Sequence, residues 1–281
     1  MGGRGTSSGS QPRWVGQLGT AWKQQQAQQT QQPQNQPAVQ QVPPAPTPVN
    51  PAAPMPTTQQ QLAQMNDAQV TQILKAANRI DMPNHLTDRD DPTQKLIYTI
   101  GLNTPPQTMN AKDFSKFMRD NNISSSEIMS REVGGGQYRT TSGAMRHLTP
   151  QQVAQMWISD PYNYIGGKHG GQALGAGAYF DMNGGRSTGY SPGGVRITAI
   201  LNPNTARVID ASTLRAKAIQ WAQTHPQADK MIRRMANGSK STFGRKELSL
   251  YATVLGYNVI KGGGSRGYHN VIDRSAVIVR Q

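Results

Sequence analysis

Apolar side chains recur at steps of three and four residues along several stretches of the chain, which is the spacing of one face of an α-helix. The longest stretch runs from Thr58 to Ile80. Within it, Asp67 is a candidate cap for a second helical piece, and Pro83 ends the pattern. The same spacing predicts further helices after Asp91-Pro92, at 110–121, after Thr149-Pro150, at 212–236 with a break at His225-Pro226, and at 243–255.

Shorter apolar runs with partial alternation predict β-strands. We interpret Gln137 to Thr140 as the first strand of the main domain. Short strands mixed with helices are typical of an α+β fold, here with two small sheets facing each other across a cleft. The other predicted strands are 195–201, 206–209, 258–260, 270–272 and 276–279.

The composition divides the chain into three parts. Residues 1–60 are low in complexity, with closely spaced glutamines followed by clustered prolines. Such a segment cannot bury enough apolar surface to offset the entropy of ordering its backbone, so we expect a disordered tail. Residues 61–125 are predicted to form a helical lead-in, and residues 126–281 the main domain.

The chain carries a net charge of +14. A basic surface suits nucleic acid, an acidic protein or the pyrophosphate of a dinucleotide, although a solvated basic face is the plainer explanation. The chain has no cysteine, which excludes disulfides and thiolate metal sites. The aspartates at 88–91 are better explained as a helix start than as a metal site, and we predict no metal. No apolar run is long enough for a transmembrane helix, so no membrane contact is expected.

The stretch from Gly171 to Tyr190 carries the candidate chemistry. A glycine-rich lead precedes the aromatic pair Tyr179-Phe180, and a polar, glycine-broken segment then leads to Ser187 and Tyr190. Flexible backbone, two flat rings and a small hydroxyl suit a slot for a planar ring. The alternative is a core aromatic pair followed by an ordinary turn.

This stretch resembles the signature of ADP-ribosyltransferases of the branch that contains diphtheria-type toxins and poly-ADP-ribose polymerases. That branch carries Gly-x-Gly-x-Tyr-Phe, then a serine eight residues after the tyrosine and a second tyrosine eleven after it. Positions with the same spacing in this chain are Gly175, Gly177, Tyr179, Phe180, Ser187 and Tyr190. The downstream half, from Asp91 to Gln281, also looks like ADP-ribosyltransferase-like domains of phage head proteins.

The resemblance implies a split two-sheet fold and NAD as the substrate. Two tyrosines would sandwich the nicotinamide ring, the serine would bind its carboxamide, and an arginine on the first strand would hold a phosphate or ribose oxygen. A surface salt bridge is the alternative for that arginine. The implied NAD-binding residues are Arg139, Thr140, Gly177, Tyr179, Ser187 and Tyr190.

The glutamate that the family places on a late strand has no counterpart in this chain. The matching stretch, Gly267 to Ser275, offers Tyr268 or His269 in its place, and Asp273 is read as a turn residue. Of three glutamates, only Glu247 follows the signature in the chain. The implied catalytic residues are therefore Arg139, Tyr179, Glu247 and His269.

Two functional hypotheses follow. The chain is a mono-ADP-ribosyltransferase that modifies a host protein or nucleic acid during phage infection, or it is a minor head component that keeps the fold without catalysis. The first places it in the host cytoplasm after infection, and the second in the virion among other phage head proteins. A nucleic-acid-binding module, supported by charge alone, is a third and weaker hypothesis.

Overall fold

A computed structural model describes residues 58–82, 91–102, 104–139, 144–159, 174, 176–182, 193–236, 247–262 and 267–281. For Tyr138 and Arg139 the description covers the backbone. Residues 1–57 of the predicted disordered tail, Pro83 and the aspartates 88 and 90 lie outside the described residues. Residues 58–60, which the prediction also assigned to the tail, belong to a helix instead. The division of the folded part at residue 125 stays a prediction.

The predicted helices are confirmed where the structure describes them. The stretch from 58 to 80 forms two helices, as its spacing suggests. Asp91 is the N-cap of α3 and accepts hydrogen bonds from the backbone N–H groups of Thr93 and Gln94. The helices are α1 Thr58–Leu62, α2 Asp67–Arg79, α3 Pro92–Thr99, α4 Ala111–Asp120, α5 Pro150–Ser159, α6 Ala211–Thr224, α7 Pro226–Met235 and α8 Glu247–Val254.

The prediction that Asp67 caps its own helix is wrong. The N-cap of α2 is Asn66, which exchanges side-chain and backbone hydrogen bonds with Gln69. The Asp67 carboxylate instead accepts the backbone N–H groups of Gln227 (3.2 Å) and Ala228 (2.8 Å) at the start of α7. It thereby supplies the cap that α7 lacks, because His225, the residue before α7, makes no side-chain capping bond.

The strands are more numerous than the apolar runs predicted. Two of them, β1 and β2, precede the Gln137 segment. The strands are β1 Gln107–Met109, β2 Met129–Val133, β3 Gly136–Arg139, β4 Met145–Leu148, β5 Ala178–Met182, β6 Val195–Leu201, β7 Val208–Asp210, β8 Val259–Gly262, β9 Tyr268–Val271 and β10 Val277–Arg280.

The described strands form one large sheet and one small one. Eight strands make a mixed sheet in the order β1-β10-β6-β2-β5-β9-β8-β7, and β3 pairs with β4 in a separate two-stranded sheet. The fold is therefore α+β. The prediction that Gln137 to Thr140 opens the main domain is wrong, because two strands come first and β3 joins neither of them. Strand β3 pairs instead with β4, the next strand in the chain, in a local hairpin.

Side chains alternate between the two sides of the large sheet along each strand, and register partners on neighbouring strands lie on the same side. We call one the Tyr179 side; register partners across β5, β9 and β8 place Asn270 and Ile260 on it. The opposite side, which carries Phe180, we call the Phe180 side.

Helices cover different sides at the two ends of the sheet. In the half made of β6 and β2, Met129 and Ile197 are buried on the Phe180 side, where α5 packs. The Trp157 ring of α5 meets the Phe180 ring edge-on, with centroids 5.6 Å apart. In the half made of β7 and β8, Ile260 is buried on the Tyr179 side and α6 and α8 pack against it. The Phe180 side therefore stays buried across the junction of β2 and β5, and helices pack on the Tyr179 side at the β7 and β8 end.

Candidate functional site

The junction between β2 and β5 is the weakest join in the large sheet. These strands pair only through Met129 with Met182 and Ser130 with Asp181. Beyond that point β2 continues beside β6 as far as Val133, and β5 begins beside β9 at Ala178. The pairing between β2 and β5 therefore ends at Ser130 and Asp181, and we call the place beyond this pair, between the two strands, the opening.

Tyr179 lies on β5 beside this opening, and it is half-buried. Its ring lies 5.8 Å from the ring of Tyr268, with the two planes inclined by 35°. Its hydroxyl accepts a hydrogen bond of 2.8 Å from the backbone N–H of Leu174. The ring is consequently held at its tip and along one side, as a platform for a planar group would need to be.

The structure explains why position 177, two residues before Tyr179, is a glycine. Gly177 has a φ of 154°, and a Cβ there would lie 2.1 Å from the side-chain oxygen of Asn270. Asn270 is fully buried, and its Nδ2 donates to the carbonyls of Leu174 (3.2 Å) and Ala176 (3.3 Å). Gly177 is therefore needed for this close approach, whether or not it also contacts a ligand.

The segment before β5 is also tied to α8 and α3. The backbone N–H of Ala176 donates to the Ser249 hydroxyl (3.1 Å), which lies 2.7 Å from the Thr93 hydroxyl. Both hydroxyl residues are buried. Three elements distant in sequence therefore position Tyr179, and the signature alone could not indicate them.

Two charged residues lie across the opening from Tyr179, and the sequence analysis missed their position. Glu132 on β2 and Arg196 on β6 are register partners and form an ion pair of 3.3 Å. Because Ser130 and Asp181 are also partners, alternation places Glu132 on the Tyr179 side. The sequence signal for β2 is the pair of apolar residues Met129 and Val133, which are four residues apart and have polar residues between them.

Arg139 lies on β3, in the separate hairpin, rather than on a strand beside Tyr179. Thr140, Ser187 and Tyr190 lie outside the described residues. The assignment of these four residues to NAD stays a prediction.

His269 and Tyr179 lie on opposite sides of the sheet. His269 is the register partner of Phe180, so its side chain projects to the Phe180 side. Burial lowers the pKa of His269, as does the positive charge of Lys261, while Asp210 acts in the opposite direction. The described residues thus do not bring the His269 imidazole to the Tyr179 ring.

Glu247 is fully buried at the start of α8, beside a charged cluster on α7. In that cluster Asp229 binds Arg233 (2.9 Å) and accepts a hydrogen bond from the Tyr251 hydroxyl. The hydrogen bond that Arg233 donates to Asp229 raises the pKa of Arg233. Burial and the hydrogen bond to Asp229 raise the pKa of Tyr251, and the charge of Glu247 contributes to both shifts. These contacts indicate a structural role for the cluster, and a catalytic role for Glu247 stays a prediction.

Asp273 is the turn residue that the sequence predicted. Its carboxylate accepts from the backbone N–H (3.1 Å) and the hydroxyl (2.6 Å) of Ser275, and so caps a short 3₁₀ turn at Arg274–Ala276. Burial raises its pKa, and the Ser275 hydrogen bonds oppose this. Next to it, the buried Arg274 donates to the Trp157 carbonyl and links β10 to α5.

The described residues contain no group of three metal-ligating side chains close enough to hold a metal ion. No helix in the described ranges is long and apolar enough to span a lipid bilayer. The chain matches no family model, and searches of curated proteins and of solved structures find no similar protein.

Proposed function

We propose that the chain is an NAD-dependent mono-ADP-ribosyltransferase of the split two-sheet kind. The observation that carries the proposal is the half-buried Tyr179 ring at the opening between β2 and β5, inside a sequence with the Gly-x-Gly-x-Tyr-Phe spacing. Only two residue pairs join β2 to β5 within the large sheet, and this short junction supports a dinucleotide site beside it.

The Tyr179 ring is the proposed platform for nicotinamide, and Tyr268 stabilises that ring from the side. Stacking between aromatic faces contributes about 0.5–1.5 kcal/mol beyond the burial of area. The predicted partners, Ser187 and Tyr190, would close the slot. The net charge of +14 favours an anionic ligand or acceptor. The acceptor is proposed to be a host protein or a nucleic acid met during phage infection.

The test is to titrate the purified protein with NAD in a calorimeter and to measure transfer from labelled NAD in a lysate of the host. Tyr179→Ala is expected to abolish NAD binding. Tyr257→Ala is the matched control, because Tyr257 is half-buried at the turn between α8 and β8. Absence of NAD binding by the wild-type protein would refute the proposal.

The second candidate is an internal virion component that keeps the fold without turnover. It is favoured by the position of His269 on the Phe180 side and by the contacts of Glu247 with the α7 cluster. This candidate predicts co-purification with phage particles and NAD binding without release of nicotinamide.

A further inference from the structure

We propose that Glu132 is the carboxylate that faces the ribose of NAD during transfer. This inference rests on the proposed function and adds a residue that the late-strand position of the sequence does not supply. Glu132 lies on β2, before the tyrosine signature in the chain, whereas the family places its glutamate after that signature.

The register of the strands carries the argument. Ser130 and Asp181 form the last pair between β2 and β5. Glu132 and Tyr179 each lie two residues beyond that pair, on diverging strands and on the same side of the sheet. Two residues of strand span about 7 Å. A carboxylate and an aromatic ring therefore stand on opposite edges of the opening.

Glu132 and Tyr179 are both partly exposed within the described residues. Among the described helices, α6 and α8 pack on the Tyr179 side at the β7 and β8 end, and α4 packs on it at the other end, where Phe114 contacts Ile200 and Ile278. Between them, Arg196 is exposed and the Glu132 side chain is 18% exposed. Part of the Glu132 side chain is therefore within reach of a ligand.

The chemistry requires a negative charge at this edge. The bond between ribose C1′ and the nicotinamide nitrogen breaks, and its electron pair leaves with neutral nicotinamide. Positive charge develops on the ribose, and a carboxylate beside it stabilises that charge. The acceptor, or water, then bonds to C1′ and loses a proton to solvent. Arg196, paired with Glu132, fixes the carboxylate and adds a positive charge beside the pyrophosphate.

Other carboxylates are less suited. Asp181 lies at the closed pair itself, beside Tyr268. Asp273 caps its own turn, and Glu247 faces the α7 cluster. Glu132 is the carboxylate that combines the correct side with a place at the edge, within the described residues.

The experiment compares wild-type protein, Glu132→Gln and the control Glu127→Gln. Glu127 is an exposed glutamate nearby in sequence whose carboxylate accepts the Ser124 backbone N–H. For each protein, calorimetry gives the affinity for NAD, ligand-observed NMR gives the affinity for nicotinamide, and labelled NAD gives the rate of nicotinamide release. Thermal unfolding checks that each variant is folded.

Glu132→Gln is expected to lower the release rate by about 10²–10³-fold while nicotinamide binding is unchanged. If wild type binds NAD without turnover, a loss of NAD affinity of at least about fivefold in Glu132→Gln alone supports the same contact. Equal behaviour of the two variants overturns the role of Glu132 and leaves the proposed function intact. A loss of nicotinamide binding as well also overturns it, because the effect would then be on the ring site. Failure of wild type to bind NAD removes both proposals.

Discussion

The two sides of β5 have opposite environments, although they belong to neighbouring residues. Phe180 is fully buried against Trp157, whereas Tyr179 is half-buried at the edge of an opening. The contrast arises because α5 covers the Phe180 side at β5, whereas α4 at one end of the sheet and α6 and α8 at the other pack on the Tyr179 side. Strand β5 therefore presents Phe180 to the core and Tyr179 to a half-buried surface.

This comparison shows which side of the junction is less covered. On the Phe180 side one continuous core crosses the junction, because Met129 of β2, Phe180 of β5 and Trp157 of α5 belong to the same buried cluster. The opening is therefore confined to the Tyr179 side. A ligand site there is a separate inference, which depends on the side chains.

The largest expected effect tests the contrast in burial between Phe180 and Tyr179. Phe180→Ala should destabilise the protein by about 3–5 kcal/mol, because it leaves a cavity beside Trp157. Tyr179→Ala should cost clearly less stability, since its ring is half-buried, and should affect NAD binding instead. Urea unfolding of both variants measures the difference. Equal losses of stability would show that the two sides are equally covered.

A smaller effect is expected for the glycine before β5. Gly177→Ala should destabilise by about 1–3 kcal/mol, because the new methyl group would collide with Asn270 and the backbone is in a strained region. Gly193 precedes β6 with a φ of 78°, and a Cβ there would meet nothing within 4 Å. Gly193→Ala is therefore the matched control, with backbone strain but no collision. If both variants lose the same stability, the close approach of Asn270 is not the cause.

The smallest effect concerns pH. The pKa of His269 is lowered in the folded protein, so the unfolded chain binds a proton more readily. The contribution of neutral His269 to stability is present above about pH 6.5, the usual pKa of histidine, and is lost as the pH falls below that value. His269→Asn should flatten the loss of stability between about pH 7 and 5, as measured by urea unfolding at several pH values. An unchanged slope in His269→Asn would show that His269 is not the source of the pH dependence.

Much of the fold follows from local sequence signals. Asp91-Pro92 and Thr149-Pro150 begin helices because the cap and the proline act within one turn. Strand β6 follows from its own apolar run. These signals are contained within a few residues, which is why periodicity and capping rules detect them.

The parts that the sequence did not predict depend on contacts between distant residues. Strand β2 is short and half polar, and it becomes a strand because β6 pairs with its whole length. Asp67 bonds to α7, about 160 residues away, where no local rule applies. Tyr179 could be selected as a candidate from its motif, but its neighbour Tyr268 and the carboxylate of Glu132 emerge only from the register of the strands.

The hydrogen bonds from the start of α7 to Asp67 make the early helices inseparable from the late ones. A shortened protein beginning after residue 80 would expose two backbone amides and the apolar flank of α7 to water. Anyone who expresses the proposed NAD-binding region alone should thus expect poor folding, and inactivity of such a fragment would say nothing about the chemistry of the whole protein.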